Sequence, residues 1–229
     1  MDFEDTTVVL VHGAWADGSS WGSVISSLKS HGIKAVAAPL PLTSLADDVA
    51  AVDRTLARID SPVVLVGHAY AGAVIGETHS EKIKSLVYVA ALAPDEGETV
   101  ADVFYRTEPH PKAPKLAPDE NSLIWRPDDA FANAFAQNAH PEMQGMLAAI
   151  QRPIAIACIT VPVGVPSWRS LPSWYLLAED DHMIIAGTQR FMAERMKAHV
   201  RAHSVDHTPS VTAPSLVVDI IEEAIRAAG

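Results

Sequence analysis

Two rhythms of apolar and polar residues alternate from the start of the chain. Thr7-Val-Val-Leu-Val11 is a continuous apolar run, the pattern of a strand buried on both faces of a parallel sheet. A helix follows from about Trp21 to Ser30, then Ile33-Lys-Ala-Val-Ala-Ala38 reads as a second strand, broken by Pro39 and Pro41. Leu45, Val49, Val52, Leu56 and Ile59 recur at spacings of four and three, which places them on one helical face. Ser44 stands where it can cap that helix. Val63-Val-Leu-Val66 and Ile83-Lys-Ser-Leu-Val-Tyr-Val89 read as further strands, with a helix start at Ala71 between them. Repeated βα units predict an α/β fold with a mostly parallel sheet flanked by helices.

The rhythm breaks from about Pro94 to Pro172, where proline and charge surround scattered large apolar groups. A structureless loop of that length is improbable in a compact domain, so residues 94–172 are expected to form a cap or lid of short helices. Asp128 to Gln137 and Pro141 to Gln151 are the candidate helices. The sheet resumes at Ser173-Trp-Tyr-Leu-Leu-Ala178. A helix from Thr188 to Lys197, a strand from Val200 to Val205 and a helix from Pro214 to Ala228 complete the pattern. Residues 1–93 and 173–229 therefore form the expected core. No internal repeat or low-complexity tract is visible.

Composition narrows the function. The 229 residues carry 17 basic and 28 acidic side chains, a formal charge of −11 with no basic cluster, which argues against nucleic acid and anionic membrane surfaces. No apolar run is long enough to span a bilayer, and the acidic start Met-Asp-Phe-Glu-Asp lacks the pattern of a secretory signal. The single cysteine, Cys158, cannot form an internal disulfide and reads as buried packing; a reducing cytoplasm is the expected location. Histidines and carboxylates lack metal-ligand spacing such as H-E-x-x-H, and the glycines after the first strand do not make a dinucleotide fingerprint. No cofactor is expected, and oligomeric state leaves no mark on the sequence.

The chemistry concentrates around Gly67-His-Ala69-Tyr-Ala71-Gly72. A strand ending in small residues and feeding directly into a helix is the setting of the nucleophile elbow, where a strained turn holds a serine clear of the sheet. Gly67 and Ala71 have the small side chains the turn needs, yet the nucleophile position is Ala69, and a methyl group cannot attack a carbonyl. Acyl transfer also needs a base and an acid that orients it, in the order nucleophile, acid, histidine. Asp181 is the candidate acid in Glu179-Asp180-Asp181-His182, and His207, after the last strand, is the candidate base. His12 and His68 read as braces of the two tight turns. Backbone N–H groups of Ala14 and Tyr70 are the candidate oxyanion donors. Trp15, Trp125, Phe131, Phe135, Trp168 and His182 are candidates for the lining of an apolar pocket.

With Val9-Leu-Val-His-Gly-Ala-Trp15, the elbow, Gln151-Arg-Pro-Ile154, Pro172-Ser-Trp-Tyr175 and Gln189-Arg-Phe-Met-Ala193, nearly the whole chain resembles the small bacterial α/β-hydrolases related to plant methylesterases and hydroxynitrile lyases. The family elbow reads Gly-His-Ser-Tyr-x-Gly, so the resemblance implies that Ala69 replaces a serine. It supports Asp181 and His207 as the other triad members and Ala14 and Tyr70 as oxyanion donors. The implied substrate is a small carboxylic ester, with a carbamate or amide as alternatives. A deliberate Ser→Ala change and a natural chain without the nucleophile both account for Ala69; persistence of acid, base and oxyanion loop weighs toward the first. A small-ligand binding protein, or general-base chemistry by His207 alone, is the rival reading. Lyases of the family use a lysine after the histidine and a threonine near the oxyanion loop; Thr208 and Gly13 occupy those places here.

Overall fold

A computed structural model of the protein describes residues 6–227; the acidic start, Ala228 and Gly229 lie outside them. Seven elements come first: β1 (Thr7–Val11), α1 (Gly22–Ser30), β2 (Lys34–Ala38), α2 (Leu45–Leu56), β3 (Val63–His68), α3 (Ala71–Glu77) and β4 (Ile83–Val89). After a long excursion come β7 (Ser173–Ala178), α6 (Ala186–Arg195), β8 (His199–His203), α7 (Pro209–Thr212) and α8 (Pro214–Ala227). The six core strands form one parallel sheet in the order β2-β1-β3-β4-β7-β8.

Alternation along each strand sends neighbouring side chains to opposite faces. Val8, Leu10, Val64 and Val66 pack with Trp21, Val24 and Leu28 near or on α1 and with Val217 and Ile221 of α8. Val9, Val11 and Leu65 face the other way, toward Val52 of α2, Val74 of α3 and Met192 of α6. Each such side chain taken fully out of water contributes about 1.5–3 kcal/mol, which is why both faces are covered. Ser44 caps α2 as its position foretells, accepting a hydrogen bond from Asp47 N at 3.0 Å.

The excursion holds α4 (Val100–Phe104), β5 (Leu123–Ile124), α5 (Pro141–Ala149) and β6 (Ile154–Ala155). Here the sequence pattern is only partly right. The helix expected over 128–137 is a single π-helical turn, Phe131–Phe135. The α4 helix and the antiparallel β5–β6 pair were not anticipated, because a two-residue strand has no periodicity to read. In the core, β8 ends at His203 rather than Val205, and α6 begins two residues earlier than its pattern suggests. No helix among the described residues is long and apolar enough to cross a membrane.

Candidate active site

The elbow is set by close approach. A Cβ on Gly67 would lie 2.8 Å from the Ala71 carbonyl oxygen, and one on Gly72 would collide with that of Leu92. Glycine at 67 lets strand and helix pinch together, and glycine at 72 lets the helix approach the loop after β4. Between them Ala69 is held at φ +52°, the left-handed region that costs an alanine roughly 1 kcal/mol. Its carbonyl accepts from Gly72 N at 3.1 Å and Leu92 N at 2.9 Å, which fixes the turn.

The loop after β1 meets this turn from the other side. A Cβ on Gly13 would come 3.0 Å from both Ala69 Cβ and the His68 carbonyl oxygen, so glycine lets Ala14 reach the site. His12 braces that loop: Nδ1–H donates to Gly13 O at 2.9 Å and Nε2 accepts from Leu40 N at 3.0 Å. Burial holds its pKa below the usual imidazole range. Ala14 and Tyr70 are both buried, and neither backbone N–H donates to an acceptor among the described residues. Buried N–H groups are almost always paired, so these two are suited to a ligand oxygen.

Asp181 and His207 come together from separate loops. Asp181 lies beyond β7 and is 2 % exposed. Its Oδ1 accepts from Met183 N at 2.7 Å and Ile184 N at 2.9 Å, and its Oδ2 from Gln189 Nε2 at 2.9 Å. His207 Nδ1–H donates to the same Oδ2 at 2.8 Å, which leaves Nε2 as the acceptor of the ring. The neighbouring acids do not compete: Glu179 and Asp180 are exposed, with Glu179 3.9 Å from Arg190. Behind His207, His68 Nε2–H donates to the His207 carbonyl at 2.7 Å. Burial, reinforced by the charge that His207 can carry, depresses the His68 pKa to about 3; that ring is a neutral strut.

Ala14, Trp15, Ala69, Tyr70 and His207 share the wall of a cavity of ≈ 250 Å³, small beside the usual range of ligand pockets. Leu92, Phe104, Leu116, Ile124, Ile159 and Met183 supply much of the rest. Of the other aromatic and histidine candidates, none is in that wall. Trp125 is 48 % exposed, between buried Ile124 and Arg126, with its indole on Asp119 at 3.2 Å. Phe131 and Phe135 are buried one layer deeper, over the Arg126 guanidinium, with Phe135 5.3 Å from the His207 ring. Trp168 is buried under the excursion with its indole on Pro94 O at 3.3 Å. His182 stacks on His110 and donates from Nδ1 to Asn133 O at 2.8 Å.

Two residues escape the sequence pattern. Asp48 is fully buried on the apolar face of α2, where it accepts from Leu42 N at 2.7 Å and from Tyr70 Oη at 2.7 Å. Burial raises its pKa, and the Cys158 sulfur, 3.7 Å away, has its thiol pushed up to about 12, chiefly by the same burial. The clue was an acid three residues after Leu45 and four before Val52, in register with the apolar stripe. Arg126 is the other; an arginine after Trp125 reads as surface, yet just beyond β5 it is buried against the Trp15, Phe131 and Phe135 rings.

Comparison with known proteins agrees with this architecture. A family model described as "Alpha/beta hydrolase family" matches residues 8–220. Alpha/beta hydrolase nvfD of Aspergillus novofumigatus is 25% identical over 95% of both chains. The pyrethroid hydrolase of Sphingobium wenxiniae is also 25% identical, over 95% of this chain and 87% of that one. Among solved structures, a polyneuridine aldehyde esterase mutant superposes with TM-score 0.81 at 20% identity, covering 95% of this chain and 98% of that one. A mutant of tomato methylketone synthase I gives TM-score 0.85 at 18% identity, over 98% and 99%.

Proposed function

The chain belongs to the alpha/beta hydrolase family, and from that premise we propose that its site is built to hydrolyse a small carboxylic ester by acyl transfer, with Ala69 at the nucleophile position. The 2.8 Å bond from His207 Nδ1 to Asp181, with His207 and Ala69 in one cavity wall, carries the reading. A serine at 69 would give its proton to His207 Nε2 as Oγ bonds to the ester carbonyl carbon. Asp181 would hold the imidazole in the required tautomer and stabilise it once charged. The carbonyl oxygen, now negative, would sit between the N–H groups of Ala14 and Tyr70. Collapse expels the alcohol, protonated by His207, and water repeats the sequence on the acyl group to release acid. The relatives include a pyrethroid hydrolase and an esterase, which supports ester chemistry for this cavity.

As written, the chain can position an ester but cannot form the acyl bond. Introducing a serine tests this. Ala69→Ser is expected to raise kcat toward p-nitrophenyl butyrate by about 10⁶-fold, the usual cost of a missing nucleophile. An Ala69→Ser variant that stays within tenfold of the unaltered chain overturns the reading.

The alanine itself favours one rival, in which His207 Nε2 acts as a general base on a bound ligand without covalent attack, or the chain only binds. That reading predicts turnover or tight binding by the Ala69 chain that Ala69→Ser does not improve. Lyase chemistry finds no support at Thr208, whose hydroxyl donates to Phe135 O at 2.5 Å and offers no cation to a leaving anion.

A further inference from the structure

The cavity wall contains no aspartate, glutamate, lysine or arginine, yet a whole cation lies one layer behind it. Arg126 is 2 % exposed, and none of Nε, Nη1 and Nη2 has a hydrogen-bond partner among the described residues. Its guanidinium carbon is 3.8 Å from the ring centroid of Phe135, 4.2 Å from that of Trp15 and 5.1 Å from that of Phe131. A desolvated aromatic face attracts a cation by about 2 kcal/mol, less than the several kcal/mol it costs to take an ion out of water. Arginine does not shed its proton to escape that cost. Nor is there a paired counter-ion among the described residues. Asp181 is the acid whose charge Arg126 feels, but its oxygens are committed to Met183, Ile184, Gln189 and His207. Its five N–H donors are buried with no acceptor among the described residues.

We propose that Arg126 is an anion-binding residue of this site and that the ligand carries a carboxylate which reaches the guanidinium past Trp15. Trp15 is the link between the two spaces: the residue lines the cavity and its ring lies against Arg126. One hydrogen bond, from Nε1 to Ile124 O at 2.9 Å, holds the indole. The proposed path requires the indole to turn and give up that bond, while Trp15 N stays on Arg152 O at 3.1 Å. A planar carboxylate matches the fork of an arginine with two parallel charge-assisted bonds. The inference gives a charge to the ligand and rests on the ester reading of the cavity. It makes the preferred compound a half-ester of a dicarboxylic acid rather than a wholly neutral ester.

The test uses the unaltered chain, in which Ala69 spares the ligand from turnover. Calorimetric titration compares monomethyl adipate with dimethyl adipate, and a chloride titration followed by thermal unfolding probes a free anion. Monomethyl adipate should bind roughly tenfold or more tightly than the diester, the ratio one charge-assisted hydrogen bond supplies. The preference should vanish in Arg126→Met and survive in part in Arg126→Lys. Stabilisation by chloride that is lost in Arg126→Met also supports the anion site, with a free ion as its occupant. Equal affinities together with no chloride response overturn the proposal, whether or not either variant folds. If neither ester binds while chloride stabilises through Arg126, the ester reading fails and the anion site stands.

Discussion

Ala69 keeps the left-handed φ of +52° that a nucleophile elbow requires, without an Oγ to present. His207, hydrogen-bonded to Asp181, lines the same cavity, so the roles proposed for the two can be separated by substitution. In the Ala69→Ser background, Asp181→Asn is expected to lower kcat by about 10⁴-fold with little change in KM, since an amide holds the wrong imidazole tautomer. Steady-state kinetics checks this; a loss below tenfold would mean that Asp181 does not orient His207. A second consequence concerns His68, whose folded pKa of about 3 lies below the ordinary value near 6.5. The unfolded chain then binds the extra proton, so the stability this ring contributes is present above pH 6.5 and is lost as pH falls toward 3. Between pH 7 and 5 the loss from His68 alone is on the order of 2 kcal/mol, with buried His12 acting in the same direction. Denaturant unfolding at the two pH values measures it, and His68→Gln should flatten the difference.

At the level of elements, α2 does more than cover the sheet. Through Asp48 it grips Tyr70 at the first turn of α3 and Leu42, which sits at φ +61° before the helix. Removing that carboxylate strands the Leu42 N–H and the Tyr70 hydroxyl in an apolar interior, at about 1–3 kcal/mol for each orphaned group. Asp48→Ala should therefore lower Tm by several degrees, at about 2–4 °C per kcal/mol for a chain of this size. In the Ala69→Ser background it should also lower kcat, because the Tyr70 backbone shares that anchorage. Tm unchanged in a scanning calorimeter would show that the buried acid carries no structural load. The helix itself was easy to read from its stripe and Ser44 cap; the acid inside the stripe was visible only as an exception to it.

Across the molecule, what could be read in advance follows the physics of each part. Buried parallel strands such as Thr7–Val11 and Val63–His68 write themselves as apolar runs, and Asp181 and His207 stand where chain order and strand ends place them. The excursion between β4 and β7 is governed instead by tertiary packing. Phe131 and Phe135 are in it to cover Arg126, and Trp168 to seal its underside, so composition alone marks them as pocket aromatics without saying which layer they occupy. The wall that does line the cavity comes from aliphatic residues such as Leu116, Ile124 and Ile159, scattered over short elements with no common period.

That excursion leaves and rejoins the sheet at neighbouring strands, since Leu86 of β4 is in register with Ser173 of β7. Because the strands are parallel, the end of β4 at Val89 pairs with Leu176, three residues beyond the start of β7, so exit and re-entry lie roughly 10 Å apart along neighbouring strands. A segment so anchored behaves like a removable module. Outside its ends, its specific joints include the Trp15 indole on Ile124 O, the Thr208 hydroxyl on Phe135 O and the Asn138 N–H on Asp206. Transplanting the same stretch from a relative, with those joints matched, should leave thermal stability within about 2 kcal/mol of the parent by calorimetry. Ligand preference should change with the graft. New specificities can then arise by exchange of a roof over an unaltered floor.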